Sequence, residues 1–451
     1  MRCLNIVCSQ RRPPIITLSV SGIPCQATYV EDPQDDMTTI HTISSVATRF
    51  PLPAGAGSDA VHTNPEYGYA VTRLHTADQR CGYGISFTLG AGTQLVCDAI
   101  ELLAQPLVGC EIEELMSRFG AFQKELAEHP QLRWLGPHKG VIHLALSSIT
   151  NACFDLWAKA RNVPLWKLLL DLDSQALVQL LDLSYLEDEF SPEEVVGWLD
   201  SQRSQRSTRE AVLQRGYPGY DTSVGWFDYP DQQIRENALR AVDAGFGAIK
   251  LKVGSSDMQR DLRRVGLVRD AVGPDIKLML DANQAWSLPT ALSVGSELAT
   301  LDPFWIEEPT QPDDILAHRQ LAHEWAPTPI AVGESIPNRV IWKNYLHNGA
   351  VGIVQADCTR LAGISEYLTV SIMAAHYPVQ VIPHVGDMGQ IHQHLVLFNH
   401  IALGHDVVLL EHIPHLREQF VDPVRVEQGH YAVPQEPGTG AALKIAMADS
   451  V

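Results

Sequence analysis

A chain of 451 residues exceeds what one hydrophobic core usually holds, so a domain of barrel size plus a second one is expected. With 45% hydrophobic and 19% charged residues the composition is that of an ordinary globular enzyme, and no apolar run is long enough to cross a bilayer. The net charge of −20 argues against nucleic acid or an anionic membrane as partner, whereas an anionic small molecule stays compatible, because local lysines and a bound cation can reverse the field inside a cleft.

In chain order, residues 1–36 stand apart. Arg11, Arg12, Pro13 and Pro14 precede a short apolar stretch, and an acidic segment leads to Met37. A signal peptide would carry a longer apolar core and a small-residue cleavage site, so this segment reads as a disordered extension of a chain whose working origin is Met37. A cytoplasmic location follows, with organelle targeting by residues 1–36 left open. The eight cysteines form no Cys-x-x-Cys pair and read as reduced thiols.

Residues 37–170 place strands at 69–74 and 82–87, then helical periodicity at 95–103, 112–126 and 141–160, the order of a small α+β domain. From residue 171 strand and helix alternate. Strands are expected at 178–185, 248–253, 278–282, 304–307, 330–334, 353–357, 379–383 and 407–411, giving an α/β fold with an eight-stranded barrel over 171–415. The link at 186–230 reads as a helical insertion between the first two strands. Residues 416–451, rich in Pro and Gly, are expected to return to the first domain and complete its sheet.

Seven polar residues punctuate the barrel: Lys252, Asp281, Glu307, Glu334, Asp357, His384 and Glu411, at gaps of 29, 26, 27, 23, 27 and 27 residues. Each ends an apolar run, which places them together at the C-terminal mouth where barrel enzymes do their chemistry. Alternation turns Lys250 and Lys252 inward and Ile249, Leu251 and Val253 toward the helices. Mutual repulsion, strengthened by a nearby cation, would bring one lysine toward neutrality and make it a general base. Asp281, Glu307 and Glu334 on consecutive strands would repel one another unless a divalent cation sat between them, and oxygen-only ligands select Mg²⁺, with Mn²⁺ a substitute. Asp357 would fix the tautomer of His384 on the neighbouring strand and leave its other nitrogen to carry a proton. Glu411 would set local charge, by a salt bridge to a lysine of the second strand or directly. Glu308 alternates away and reads as structural.

Lys-Leu-Lys-Val-Gly at 250–254, Asp-Ala-Asn-Gln at 281–284, Trp-Ile-Glu-Glu-Pro at 305–309, Gly-Glu at 333–334, Pro-His at 383–384 and Glu411 together resemble the enolase superfamily, its mandelate racemase subgroup and most closely the L-fuconate dehydratases, over residues 50–440. The resemblance implies a modified TIM-type (β/α)8 barrel under an α+β capping domain, with Mg²⁺ held by Asp281, Glu307 and Glu334. It implies that Lys252 removes the proton beside a sugar-acid carboxylate. Lys250, Glu411 and the metal would hold the enediolate, and His384 would protonate the departing 3-hydroxyl, leaving a 2-keto-3-deoxy acid. Gly57, Ser58, Asp59, Tyr67, Trp226 and Asn283 match substrate-contacting positions. Ala285, Ser335, Val385 and Asp387 depart from the pattern of fuconate dehydratases where sugar preference would be set. Competing readings are an epimerase or racemase using Lys252 and His384 on opposite faces of one carbon, a Schiff-base aldolase using Lys252, and a silent barrel with a binding role. A homo-oligomer is compatible with all of them.

Overall fold

The protein is represented by a computed structural model that describes residues 38–136, 138–385 and 389–445. The expectations for residues 1–36, and for Asp387, lie outside the described residues.

Four antiparallel strands open the chain: β1 (Ile40–Ala47), β2 (Phe50–Pro51), β3 (Glu66–Thr76) and β4 (Cys81–Thr88), with β3 central. The helix Val141–Ala160 lies across β4 at close range. A Cβ at Gly84 would sit 1.9 Å from the Ser148 carbonyl oxygen, so only glycine permits the approach. That helix is long and apolar enough to span a bilayer, yet 89% of its apolar window is buried inside the protein, where it serves as the core helix of the cap. The expected helix at 112–126 is two pieces, Ile112–Met116 and Phe119–Ala127.

The barrel strands are β5 (Tyr217–Gly225), β6 (Ala248–Lys252), β7 (Lys277–Asp281), β8 (Trp305–Glu307), β9 (Ile330–Val332), β10 (Ile353–Val354), β11 (Gln380–Val381) and β12 (Leu410–His412). Parallel ladders run from β5 to β11, and β12 pairs back onto β5. Tyr220, Ala248, Met279, Trp305, Ala331, Ile353, Ile382 and Leu409, one in or next to each strand, form a separate apolar cluster inside the barrel. Ile249, Leu251 and Val253 face the helices instead. The lumen is therefore a packed plug, with its polar groups stacked above.

The first strand differs from expectation. Residues 178–185 are not a strand: Ser174–Gln179 is a helix, N-capped by the Asp173 carboxylate accepting from the Ala176 N–H. Leu177, Val178, Leu180 and Leu181 are buried at helical spacing, a pattern a short apolar run shares with a strand. Segment 186–215 is helical, at Pro192–Gln202, Arg206–Arg209 and Val212–Arg215, but it precedes the first barrel strand and does not separate the first two. The C-terminal segment does reach the cap, where the Thr439 N–H donates to Asp155 Oδ1 at 2.7 Å and Phe420 meets Tyr69 with rings 6.1 Å apart. Among the described residues it adds no strand to the cap sheet. Its hairpin, β13 (Val426–Glu427) and β14 (His430–Tyr431), pairs antiparallel with β5.

The cap also grips the loop after β10. Ser147 Oγ and Asn151 Nδ2 donate to the Cys358 carbonyl at 2.7 and 3.0 Å, Ser86 Oγ and the Phe87 N–H donate to the Thr359 carbonyl, and Gln123 Nε2 to that of Ala362. These bonds from three cap elements fix the backbone beside Asp357.

Candidate active site

Two residues beyond the apolar plug, the same strands and the residues just past their ends carry Thr222, Lys250, Asp281, Glu307, Gly333, Gln355, His384 and Glu411, all buried. Gly333 is obligatory, since a Cβ would lie 1.9 Å from the Gln355 carbonyl oxygen. Two residues further, Lys252 and Asp357 continue the inward register.

Lys250 Nζ lies 2.7 Å from Glu411 Oε1, 3.0 Å from Glu307 Oε1 and 3.7 Å from Asp281 Oδ2. Glu411 also accepts from Thr222 Oγ1 at 2.5 Å and the Val385 N–H at 2.9 Å. Lys252 Nζ donates to Asp281 Oδ2 at 2.5 Å and Asn283 Oδ1 at 3.0 Å, and stands over the Trp226 ring, 5.7 Å from its centroid. Both amines are held above the ordinary lysine value: burial alone would lower them, but Glu307 and Glu411 outweigh it at Lys250, and Asp281 at Lys252. The expected depression of one lysine is thus not produced by the protein's own charges, because carboxylate contact outweighs lysine–lysine repulsion. Burial and Asp281 push Glu307 up to about 7.

Asp281, Glu307 and Glu334 are brought to one mouth, and Asp281 pairs directly with Glu307 in register. Their oxygens do not gather within 4.8 Å as a set; each carboxylate engages a cationic neighbour, Glu334 meeting His384 Nε2 at 2.6 Å. The donor chemistry nonetheless fits a hard cation. Asp281, Glu307, Glu308, Glu334, Asp357 and Glu411 outnumber the cationic groups set against them, Lys250, Lys252, Arg360 and the histidines, and Glu308 Oε1 is buried without a hydrogen-bond partner among the described residues. Glu308 sits at the rim of this set. Its carboxyl is held far above the ordinary value by burial and then by Glu334 and Asp281, and its backbone takes φ +41°.

His384 Nδ1 is 2.8 Å from Asp357 Oδ2, which assigns the proton to Nδ1 and leaves Nε2 facing the cavity. Burial would depress His384, but Glu334 and Asp357 hold it well above its ordinary value.

A cavity of about 150 Å³ covers these groups, lined by Lys252, His384, Glu334, Glu411, Asn283 and Trp226 from the barrel and by Gly57, Asp59, His62 and Tyr67 from the cap. Asp59 accepts from His62 Nδ1 at 2.9 Å. Ser58 and Lys250 are the exceptions among the anticipated contacts: Lys250 is buried among Glu411, Glu307 and Asp281 and does not line the cavity, and Ser58, fully buried, accepts from the Asp228 N–H at 2.9 Å and donates to the Gly55 carbonyl at 2.7 Å, clipping the cap loop to the barrel. Of the departures, Ser335 lines the cavity and accepts from Gln284 Nε2 at 2.7 Å, while Val385 is buried and Ala285 is exposed.

Sequence reasoning missed Thr222, Gln355, Arg360, His62 and His392. Gln355 lies two residues before Asp357 and was reachable by alternation; its Nε2 donates to Glu307 Oε2 at 2.9 Å. Thr222 was hidden because its strand was placed elsewhere.

The fold has close counterparts among solved structures. The solved structure of human mitochondrial enolase superfamily member 1 superposes with a TM-score of 0.88 at 38% identity, covering 91% of this chain and 95% of that one. This chain belongs to the enolase superfamily. The family model described as enolase C-terminal domain-like matches residues 233–447 of this superfamily member. The L-galactonate dehydratase of Hypocrea jecorina is 38% identical over 415 residues, 90% of this chain and 92% of that protein. The L-talarate dehydratase of Polaromonas sp. JS666, solved with Mg and L-glucarate, shares 25% identity and a TM-score of 0.68 over 91% of this chain and 96% of that one. The architecture is accordingly an α/β TIM-type barrel with an N-terminal capping domain.

Proposed function

We propose that this superfamily member is a Mg²⁺-dependent sugar-acid dehydratase, a carbon–oxygen hydro-lyase, acting on L-fuconate or a close relative such as L-galactonate. The observation that carries this reading is that one buried amine, Lys252, and an aspartate-held imidazole, His384, line one small cavity, with a second buried amine, Lys250, set among the neighbouring carboxylates. Relatives named as dehydratases of L-galactonate and L-talarate support the reaction class.

Asp281, Glu307 and Glu334 are the residues that would hold Mg²⁺, which supplies positive charge where a second negative charge develops on the substrate carboxylate. Lys252 takes the proton from the carbon beside that carboxylate. A cation held by Asp281 would compete for the contact that raises Lys252, and burial would then favour the neutral, basic amine. Lys250, fixed between Glu307 and Glu411, donates to the oxygen on which charge accumulates, stabilising the transition state more than the ground state. His384 delivers its Nε2 proton to the 3-hydroxyl, which leaves as water; the enol then becomes the 2-keto-3-deoxy acid. Glu334 occupies His384 Nε2 here, so engaging Glu334 elsewhere also frees the acid.

The test is turnover of a panel of sugar acids, read as keto acid formed, in excess chelator and after Mg²⁺ is restored. Activity abolished by chelator and recovered with Mg²⁺ supports the proposal. Undiminished turnover in chelator overturns it, and deuterium exchange with inversion but no keto acid assigns an epimerase. For location, the word mitochondrial in the human relative's name favours organelle import over the cytoplasm, testable by fusing residues 1–36 to a reporter.

A further inference from the structure

Asp357 holds His384 through one oxygen only. Its other oxygen, Oδ1, accepts from the Thr359 N–H and Thr359 Oγ1, each at 2.7 Å, and lies 3.0 Å from Nε2 of a second histidine, His392. His392 sits in the first turn of the helix Ile391–Phe398, fully buried, and takes no part in the chemistry described above. Its Nε2 also lies 3.2 Å from the Cys358 backbone nitrogen and 3.3 Å from the Cys358 sulfur, so carboxylate and peptide N–H compete for that nitrogen. A hydrogen bond to an ionised acceptor is about twice as strong as a neutral one, so the carboxylate decides the tautomer and Nε2 carries the proton. Nδ1 is then the bare nitrogen, consistent with its having no hydrogen-bond partner among the described residues.

We infer that His392 is a positioning residue for the acid: it saturates Asp357 Oδ1 so that Oδ2 is presented to His384 Nδ1. The arrangement is a buried chain, His392 to Asp357 to His384, in which only the last ring reaches the cavity. Asp357 cannot rotate without breaking three bonds at Oδ1, so the direction of His384 is set from behind. Asp357, Cys358 and His392 bring their ligand atoms within 4.8 Å of one another, which this hydrogen-bonded chain explains without a second metal.

The inference rests on the proposed dehydration for its kinetic consequence but not for its structural one, and the experiment separates the two. His392→Leu removes the donor; His392→Gln keeps an N–H at similar reach. In histidine-labelled full-length protein the hydrogen-bonded Nδ1–H resonance of His384, assigned by its loss in His384→Asn, is expected to broaden or move upfield in His392→Leu and to persist in His392→Gln. Dehydration kcat in His392→Leu is expected to fall roughly 10- to 100-fold with KM little changed, while exchange of the substrate α-proton, which needs Lys252 but not the acid, persists. The glutamine variant should recover most of the loss. An unchanged His384 resonance in folded His392→Leu, or exchange and dehydration falling in parallel, overturns the inference. If the wild type converts no sugar acid, the dehydratase reading fails and the resonance alone decides the positioning role.

Discussion

The barrel lumen carries two rings built by the same eight strands and separated by two residues. The lower one, Tyr220, Ala248, Met279, Trp305, Ala331, Ile353, Ile382 and Leu409, is apolar. The upper one holds Thr222, Lys250, Asp281, Glu307, Gly333, Gln355, His384 and Glu411, all but Gly333 having side-chain bonds or ion pairs to others of the site. Both are equally buried, so burial does not distinguish structure from chemistry here. The difference is whether a buried group finds a partner of its own kind. The lower ring stabilises by excluding water, whereas the upper ring concentrates charge in a low-dielectric site at a desolvation cost, and the plug beneath it keeps that charge in register.

The largest expected effect breaks the upper ring alone. Lys252→Ala removes the base and should reduce both keto-acid formation and α-proton exchange by roughly 10³-fold or more, measured with Mg²⁺ saturating. Circular dichroism should be unchanged, because the strand Ala248–Lys252 keeps its ladder to Asp281. Retention of exchange in this variant would transfer the base role to another residue.

Next in size is the reciprocal change. Met279 is fully buried in the apolar plug, beside Lys250 in the strand register. Met279→Ala should cost about 2–5 kcal/mol of unfolding free energy in denaturant titration, by lost transfer energy and the cavity left behind. Activity per folded molecule should change only a few-fold. A large fall in kcat at unchanged stability would mean that the two rings are not separable.

The upper ring was legible in the sequence because its residues are chemically marked and recur with strand-plus-helix spacing; Lys250, Lys252, Asp281, Glu307, His384 and Glu411 follow from alternation alone. The first strand was not legible. Its residues Pro218, Gly219 and Gly225 look like turn residues, yet the glycines are there for close packing: a Cβ at Gly225 would lie 2.2 Å from Leu251 Cδ1, and one at Gly219 2.8 Å from the Tyr431 ring. Displacing that strand concealed Tyr220 and Thr222. His392 was invisible for another reason: on a helix it carries no strand register, and its meaning comes only from its distance to Asp357. The state of the lysines was also misjudged, since spacing shows neighbours on one strand but not which carboxylate from the next strand touches each amine.

The smallest effect extends the comparison to the cap, where a buried histidine has no partner of opposite charge. His143, near the start of the helix Val141–Ala160, is buried, and neither ring nitrogen has a hydrogen-bond partner among the described residues. Burial, followed by the charges of His138 and Arg339, depresses it to about 3, the opposite of His384, which sits between Asp357 and Glu334. The folded protein therefore keeps His143 neutral while the unfolded chain protonates it near pH 6.5. Its contribution is fully present above that pH and declines as pH falls toward the folded value, because the unfolded state binds the extra proton. At pH 5 the cost amounts to about 2 kcal/mol on this linkage. His143→Leu should leave stability nearly unchanged at pH 7.5 and make the protein more stable than wild type at pH 5, as read by urea titration at the two pH values. His394, depressed to about 3, and His405, to about 4, act in the same direction and remain in the variant, so the acid slope should flatten by about one proton rather than vanish. An identical slope in variant and wild type would show that His143 gains a partner on protonation, and that the cap, like the mouth of the barrel, can accommodate a buried charge.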